Sequence, residues 1–174
     1  MILRPAETAD LPAVADLVNS AYRGDSSRQG WTTEADYLDG QRTDADWLGR
    51  DLAADPQAVL LTMRDSADGP LLGCVWLEPA GQEVWYLGML TVRPDLQARQ
   101  LGRSMLVEAE AEAARRGARR IQLTVVNVRD TLIAWYERRG YALTGETRPF
   151  PYGDNRFGDP RRKDLAFVVL EKAL

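Results

Sequence analysis

The stretch from Glu83 to Val126 constrains the fold of this 174-residue chain more than any other part of it. A strand-like run, Glu83 to Arg93, leads through a compact turn into a helix over Leu101 to Arg116, and a second strand follows at Ile121 to Val126. In the helix, Leu101, Met105, Ala109 and Ala113 recur at four-residue steps, Glu108, Glu110 and Glu112 fall outside that stripe, and Gly117 stops it after Arg115 and Arg116. Strand, helix, strand is the pattern of a parallel crossover, which is right-handed in nearly all folds.

The flanking sequence predicts antiparallel pairing around that crossover. Ile2 to Pro5 suits a first strand, and Asp10 stands where an N-cap would open a helix carrying Leu11, Val14, Leu17, Val18 and Ala21. Residues 24 to 43 mix turn formers with Trp31 and Tyr37, the composition of an ordered functional loop with a short helix; a further helix is expected over Asp44 to Ala54. Ala58 to Arg64 and Leu71 to Glu78 form a meander with the Glu83 strand, with turns expected at Asp68-Gly69-Pro70 and Pro79-Ala80-Gly81. A helix from Asp130 to Arg139 ends at Gly140, and strands at Tyr141 to Thr147 and Leu165 to Glu171 close the chain. With no linker or repeat in view, residues 1–174 are expected to form one domain.

Charge and composition narrow the chemistry. A net charge of −4 gives no general attraction to nucleic acid or anionic membranes, and no apolar run reaches the roughly 20 residues that span a bilayer. The expectation is a cytoplasmic protein with neither partner and with a mild preference for a cationic or amine substrate. Cys74 is the single cysteine, in a run suited to a buried strand. The chain has no histidine, which excludes histidine-based nucleophile systems and histidine metal sites; no metal is expected. Catalysis would have to use carboxylates, tyrosine, backbone groups or a cofactor.

The turn between strand and helix, Leu90 to Ser104, is where an anion would bind. Amides at a helix start lack intrahelical partners and the helix dipole adds positive potential, with Arg99 and Arg103 adding charge; a plain turn with solvated arginines is the alternative. The segment resembles the acetyl-CoA-binding motif of the GNAT superfamily, Arg/Gln-x-x-Gly-x-Gly/Ala. Gln97 and Gly102 match it, while Gln100 replaces the first glycine, so the backbone there is expected to avoid a conformation that only glycine tolerates. A second stretch, Asp130 to Tyr141, resembles that family's Tyr-Glu-x-x-Gly-Phe/Tyr ending.

The resemblance implies a mixed α/β fold: a mostly antiparallel sheet of about seven strands with about four helices, and a parallel strand pair splayed around the cofactor. It implies an N-acetyltransferase in which a primary amine attacks acetyl-CoA directly within a ternary complex. Cofactor contacts are carried over to Leu90, Thr91, Val92, Gln97, Ala98, Arg99, Gln100, Leu101, Gly102, Arg103 and Ser104, and to Leu132, Trp135 and Arg139. The family often has an asparagine seven residues before its tyrosine; Arg129 occupies that place here and Asn127 lies two residues upstream, so both are candidates. The Leu90 N–H would stabilise the oxyanion, and Tyr136 would protonate the departing thiolate.

The family's usual glutamate base maps to Gly88, leaving Glu83 as the candidate base, with Glu78 and Glu34 behind it, or a water chain instead. Acceptor contacts are expected from Tyr22, Trp31, Thr33, Glu34 and Tyr37, and from a later loop containing Phe150, Tyr152, Asp154, Arg156 and Phe157. The acceptor would be a small-molecule or peptide amine, and the protein a monomer or homodimer. A catalytically silent acyl-CoA sensor of the same fold is the competing reading; a nucleotide-binding protein is disfavoured by the lack of glycine-rich phosphate motifs.

Overall fold

The computed structural model describes residues 1–97 and 99–174. In chain order the elements are β1 (Ile2–Pro5), α1 (Leu11–Tyr22), α2 (Gly24–Ser27), β2 (Leu38–Asp39), α3 (Ala45–Ala54), β3 (Val59–Arg64), β4 (Leu71–Gly81), β5 (Val84–Val92), α4 (Leu101–Arg115), β6 (Arg120–Val126), α5 (Asp130–Glu137), β7 (Ala142–Pro149), β8 (Asp159–Pro160) and β9 (Ala166–Ala173). Seven strands form one sheet in the order β1-β3-β4-β5-β6-β9-β7, and β2 pairs with β8 in a separate ribbon. Every pairing in the large sheet is antiparallel except β5 with β6. The expected mixed fold is therefore present, with a fifth, very short helix, α2.

Strand alternation sorts the core onto two faces. Leu61, Val75, Leu77, Trp85, Leu87, Ile121 and Leu123 pack against Met105, Leu106, Ala109 and Ala113 of α4. Leu60, Cys74 and Trp76 point the other way, against Leu11, Val14, Leu17 and Val18 of α1 and Leu48 of α3. A third cluster of Tyr37, Leu38, Val126, Phe150 and Leu165 ties the two irregular segments to the end of β6. No helix among the described residues is long and apolar enough to cross a membrane.

Two local expectations are corrected. Asp10 holds the N-cap position of α1 but its side chain makes no capping bond there: a 3-10 turn over Thr8–Asp10 precedes the helix, and the Asp10 carboxylate reaches back to accept the Glu7 N–H at 2.9 Å while pairing with Arg4 and Arg64. The Pro79-Ala80-Gly81 segment is not a turn either. β4 runs through it, pairing Pro79 with Trp85 and Gly81 with Val84, and the chain reverses at Gln82-Glu83.

The parallel contact that defines the site is short. β5 and β6 pair only at Val84 with Arg120, Trp85 with Ile121 and Tyr86 with Gln122, after which the strands part. Tyr86 and Thr124 share a hydroxyl hydrogen bond of 2.9 Å just beyond the last pair. β5 is also bulged here, because Trp76 pairs with Gly88 and Cys74 with Thr91, which sets Met89 and Leu90 against Val75 alone. Met89 takes a left-handed conformation, φ +54°, to accommodate this.

Candidate active site

A cleft with a cavity volume of about 200 Å³ opens where β5 and β6 diverge, and α4, α5 and the loop after α1 supply its walls. Leu90, Thr91 and Val92 line it from β5, Gln97, Gln100, Gly102 and Arg103 from the turn into α4, and Arg129, Leu132, Trp135, Tyr136 and Arg139 from α5 and its flanks. Ala21, Tyr22, Trp31 and Thr32 complete the lining. The sequence motifs thus meet in space although they lie some thirty residues apart.

The bulge makes the floor. Its carbonyls are taken by side chains: Thr91 Oγ1 donates to the Met89 carbonyl at 2.9 Å, and the Tyr22 hydroxyl donates to the Leu90 carbonyl at 3.2 Å. With those acceptors occupied, the bulge turns toward the cleft without burying an unpaired carbonyl.

The turn into α4 makes the wall on which the sequence predicts an anion. The first bond of the α4 turn is donated by the Ser104 N–H to the Gln100 carbonyl at 3.0 Å, so the amides of Leu101, Gly102 and Arg103 have no intrahelical acceptor. Gln100, as N-cap, sits at φ +64° and ψ 3°, the left-handed region that the sequence reading expected this position to avoid. A conformation that glycine adopts freely is thus held here by a residue with a side chain, which is exposed. Gln97 lines the cleft with its amide engaged by backbone: its Nε2 donates to the Val92 carbonyl at 3.2 Å and its Oε1 accepts the Trp31 N–H at 3.1 Å. Arg99, Leu101 and Ser104 flank this wall without lining the cleft, and Ala98 lies outside the described residues.

Tyr136 is buried, its ring edge-on to Trp135 and to Tyr141 at centroid distances of 5.0 and 5.4 Å. Burial pushes its phenol well above the ordinary tyrosine value, so it is neutral and able to donate at any physiological pH. Trp31 stands across from Trp135, 6.3 Å between ring centroids, as the exposed lip of the cleft. The Arg139 guanidinium lies 3.6 Å from the centre of the Trp135 ring and donates from Nη1 to the Trp135 carbonyl at 2.6 Å, leaving its buried Nε–H without an acceptor. Its pKa is lowered, first by burial and then by Arg138 and Arg103 nearby.

Several expected site residues belong elsewhere. Glu83 occupies the hairpin turn at φ +58°, pairs with Arg119 at 2.9 Å, and accepts the Arg119 and Arg120 amides on its carbonyl. Seven residues of strand separate it from Leu90, roughly 23 Å at the strand rise, so it cannot serve as base. Asn127 is spent on the backbone of the neighbouring segment, accepting from Ala166 N–H and donating to the Asp164 carbonyl, both at 3.0 Å. Tyr152 is outside the cleft, where its hydroxyl accepts the Leu165 N–H at 2.9 Å.

Glu34 is buried behind the cleft and held by Arg23 Nη1 and by Arg129 Nη1, the latter at 3.0 Å. Burial alone would raise its pKa, but Arg129 and Arg23 outweigh that and hold the carboxyl below the ordinary glutamate range. Arg129 also donates from Nη2 to Thr32 Oγ1 at 2.7 Å. Thr32 and Met89 were not anticipated, since nothing in their local sequence marks them. At Gly88, a Cβ would come within 2.9 Å of the Tyr86 ring, so Tyr86 fills the space a glutamate would need.

The sequence signature of the acetyltransferase (GNAT) family matches residues 12–141, and the chain belongs to that family. Its fold is shared with ribosomal-protein-alanine N-acetyltransferase from Brucella melitensis at TM-score 0.72, with 19% identity over 100% of both chains. The structure of yncA from Salmonella typhimurium with its cofactor acetyl-CoA superposes at TM-score 0.71, with 19% identity over 100% of this chain and 94% of the other. A variant of spermidine N-acetyltransferase from Vibrio cholerae gives TM-score 0.68, with 16% identity over 99% and 95%. No curated protein matches the chain significantly in sequence.

Proposed function

We propose that this chain is an N-acetyltransferase that moves the acetyl group of acetyl-CoA to a primary amine by direct attack within a ternary complex. The observation that carries the reading is the convergence of a protonated, buried Tyr136 and the open first turn of α4 on one cleft at the β5–β6 divergence. The residues present fit acetyl-CoA: the amides of Leu101 to Arg103 and the unpartnered Arg139 Nε–H suit its phosphates, while Val92, Leu132 and Trp135 suit its apolar arm.

Bound acetyl-CoA supplies a thioester whose acyl carbon accepts the amine. Around it, in this reading, the Leu90 N–H on the bulge stabilises negative charge on the acyl oxygen, and Tyr136 donates its phenolic proton to the sulfur as the thiolate leaves. Holding both reactants in one cleft removes the cost of bringing them together. None of the described lining residues is acidic, and Glu34 has its carboxylate committed to two arginines. The amine therefore loses its proton to water rather than to a dedicated base.

That same lack of an acid favours a second reading, an acyl-CoA sensor without turnover. The two are separated by incubating the purified protein with acetyl-CoA and an amine panel while following free thiol and the mass of the acceptor. Thiol release matched by an acetylated amine supports the transferase; tight acetyl-CoA binding with no release supports the sensor.

A further inference from the structure

Positive charge around Glu34 exceeds what Glu34 can neutralise. Arg23 and Arg129 both pair with it, and Arg42 also lowers its pKa from close by. One carboxylate thus faces three guanidiniums. Asp39, close enough to Arg23 to feel its charge, is half exposed and engaged by Arg161 through both oxygens. The Arg42 guanidinium has no hydrogen bond or ion pair among the described residues. The Arg129 side chain lines the cleft at 9% exposure, and its Nε–H has no acceptor. Arg42 is partly exposed, while Arg23 and Arg129 share the one carboxylate. A buried donor left without an acceptor, as the Arg129 Nε–H is, is costly, and on a residue that lines the cleft it is completed by an acceptor on the ligand.

The position of that ligand group follows from Tyr22. Arg42 and Arg129 each lie 5.7 Å from the centre of its ring, and its hydroxyl donates to the Leu90 carbonyl at the reaction end of the cleft. Tyr22 thus lies beside both arginines and, through its hydroxyl, reaches the proposed point of attack; Arg129 lines the cleft and Arg42 stands outside that lining. The phosphates of the donor already have the α4 amides, Arg103 and Arg139 on the opposite wall. Arginine presents Nε and one Nη as a fork that matches a carboxylate, and Arg129 offers that edge with Thr32 holding the outer nitrogen.

We infer that the acceptor is a small amino acid, whose amine is acetylated while its carboxylate is held by Arg129 and Arg42. This rests on the acetyltransfer reading above and adds the acceptor's class to it. It also runs against the preference for a cationic amine that the net charge of −4 suggests, because the local charge at the site is opposite to that of the whole chain.

The test uses the intact protein with acetyl-CoA and a panel of amino acids, each beside its carboxamide and its decarboxylated amine. The carboxamide's amine is less basic, so more of it is neutral at the assay pH, and any preference for the carboxylate must overcome that advantage. The expected result is a kcat/KM for the best amino acid about 10- to 100-fold above both analogues, the range of a charge-assisted hydrogen bond. Arg42→Gln should reduce that ratio about tenfold through the acceptor KM, with the KM for acetyl-CoA unmoved, and Arg42→Lys should restore part of it. Equal or better turnover of the carboxamide or the plain amine would overturn the inference while leaving N-acetyltransfer standing. Thiol release with no member of the panel, from protein that binds acetyl-CoA by calorimetry, would overturn the acceptor class, and silence with the broader amine panel as well would remove the transferase reading.

Discussion

The Trp31 N–H donates to Gln97 Oε1 at 3.1 Å, and through this one side chain the loop after α1 is fastened to the turn that opens α4. A methyl group at Gly30 would overlap the Gln97 amide. Gln97→Ala and Gly30→Ala are both expected to release the loop at a cost of about 1 kcal/mol, the size of one or two neutral hydrogen bonds. Acetyl-CoA should then bind several-fold more weakly, which titration of tryptophan fluorescence will read. Unchanged affinity in both variants would show the latch to be ornamental.

Gln100 holds a left-handed backbone that costs a residue with a side chain about 1–2 kcal/mol relative to glycine. After allowing for the extra freedom glycine brings to the unfolded chain, Gln100→Gly should raise stability by roughly 0.5–1 kcal/mol. Gln100→Val, β-branched, should lower it by at least as much. Urea midpoints at constant slope decide the matter.

Tyr136→Phe removes only the proton donor. Turnover should fall by about 10²-fold, at the lower end of general acid contributions, with the acetyl-CoA dissociation constant within about twofold of the parent. Because burial raises the phenol's pKa, the parent enzyme should show no loss of rate from Tyr136 ionisation up to pH 10. A fall in binding equal to the fall in turnover would assign Tyr136 to packing.

With no acid among the described lining residues, the pH dependence belongs to the acceptor. The kcat/KM should climb with pH as the amine loses its proton, and the midpoint should move with the acceptor's own pKa when acceptors of different basicity are compared. A midpoint that stays fixed across acceptors would reveal an enzyme base.

Glu34 has a lowered pKa, so it is ionised in the folded protein at pH values where the free side chain would be protonated. The stability it contributes is present above its unfolded value of 4.5 and is lost as pH falls further, through the folded pKa. Glu34→Gln leaves Arg23 and Arg129 buried without their partner and should cost about 3 kcal/mol or more. That loss should shrink toward the acid limb of the stability curve, where the parent's carboxyl is itself protonated.

The order of elements and the two motif segments were legible because they rest on local signals: four-residue apolar steps in α4, the glycine stops after α4 and α5, and alternation along β6. Partners distant in sequence were not. Glu34 finds Arg129 from 95 residues away, and no periodicity links them. Met89 is not a turn former, so nothing announced the bulge, and the loss of glycine at position 100 suggested a relaxed backbone when the fold imposes the strained one. Glu83 misled for a related reason: its place on the correct strand was visible, but its distance along that strand from the reaction centre, and its engagement by Arg119, were not.

The short union of β5 and β6 has a wider consequence. Past Tyr86 and Gln122, each strand keeps its outer neighbour while its inner margin lacks the other strand. A molecule entering between them meets two rows of peptide groups and is favoured to the extent that it carries amides of its own at matching intervals. Occupancy should then protect those inner amides from hydrogen exchange, so the sheet would gain order along a seam that the polypeptide by itself leaves unstitched.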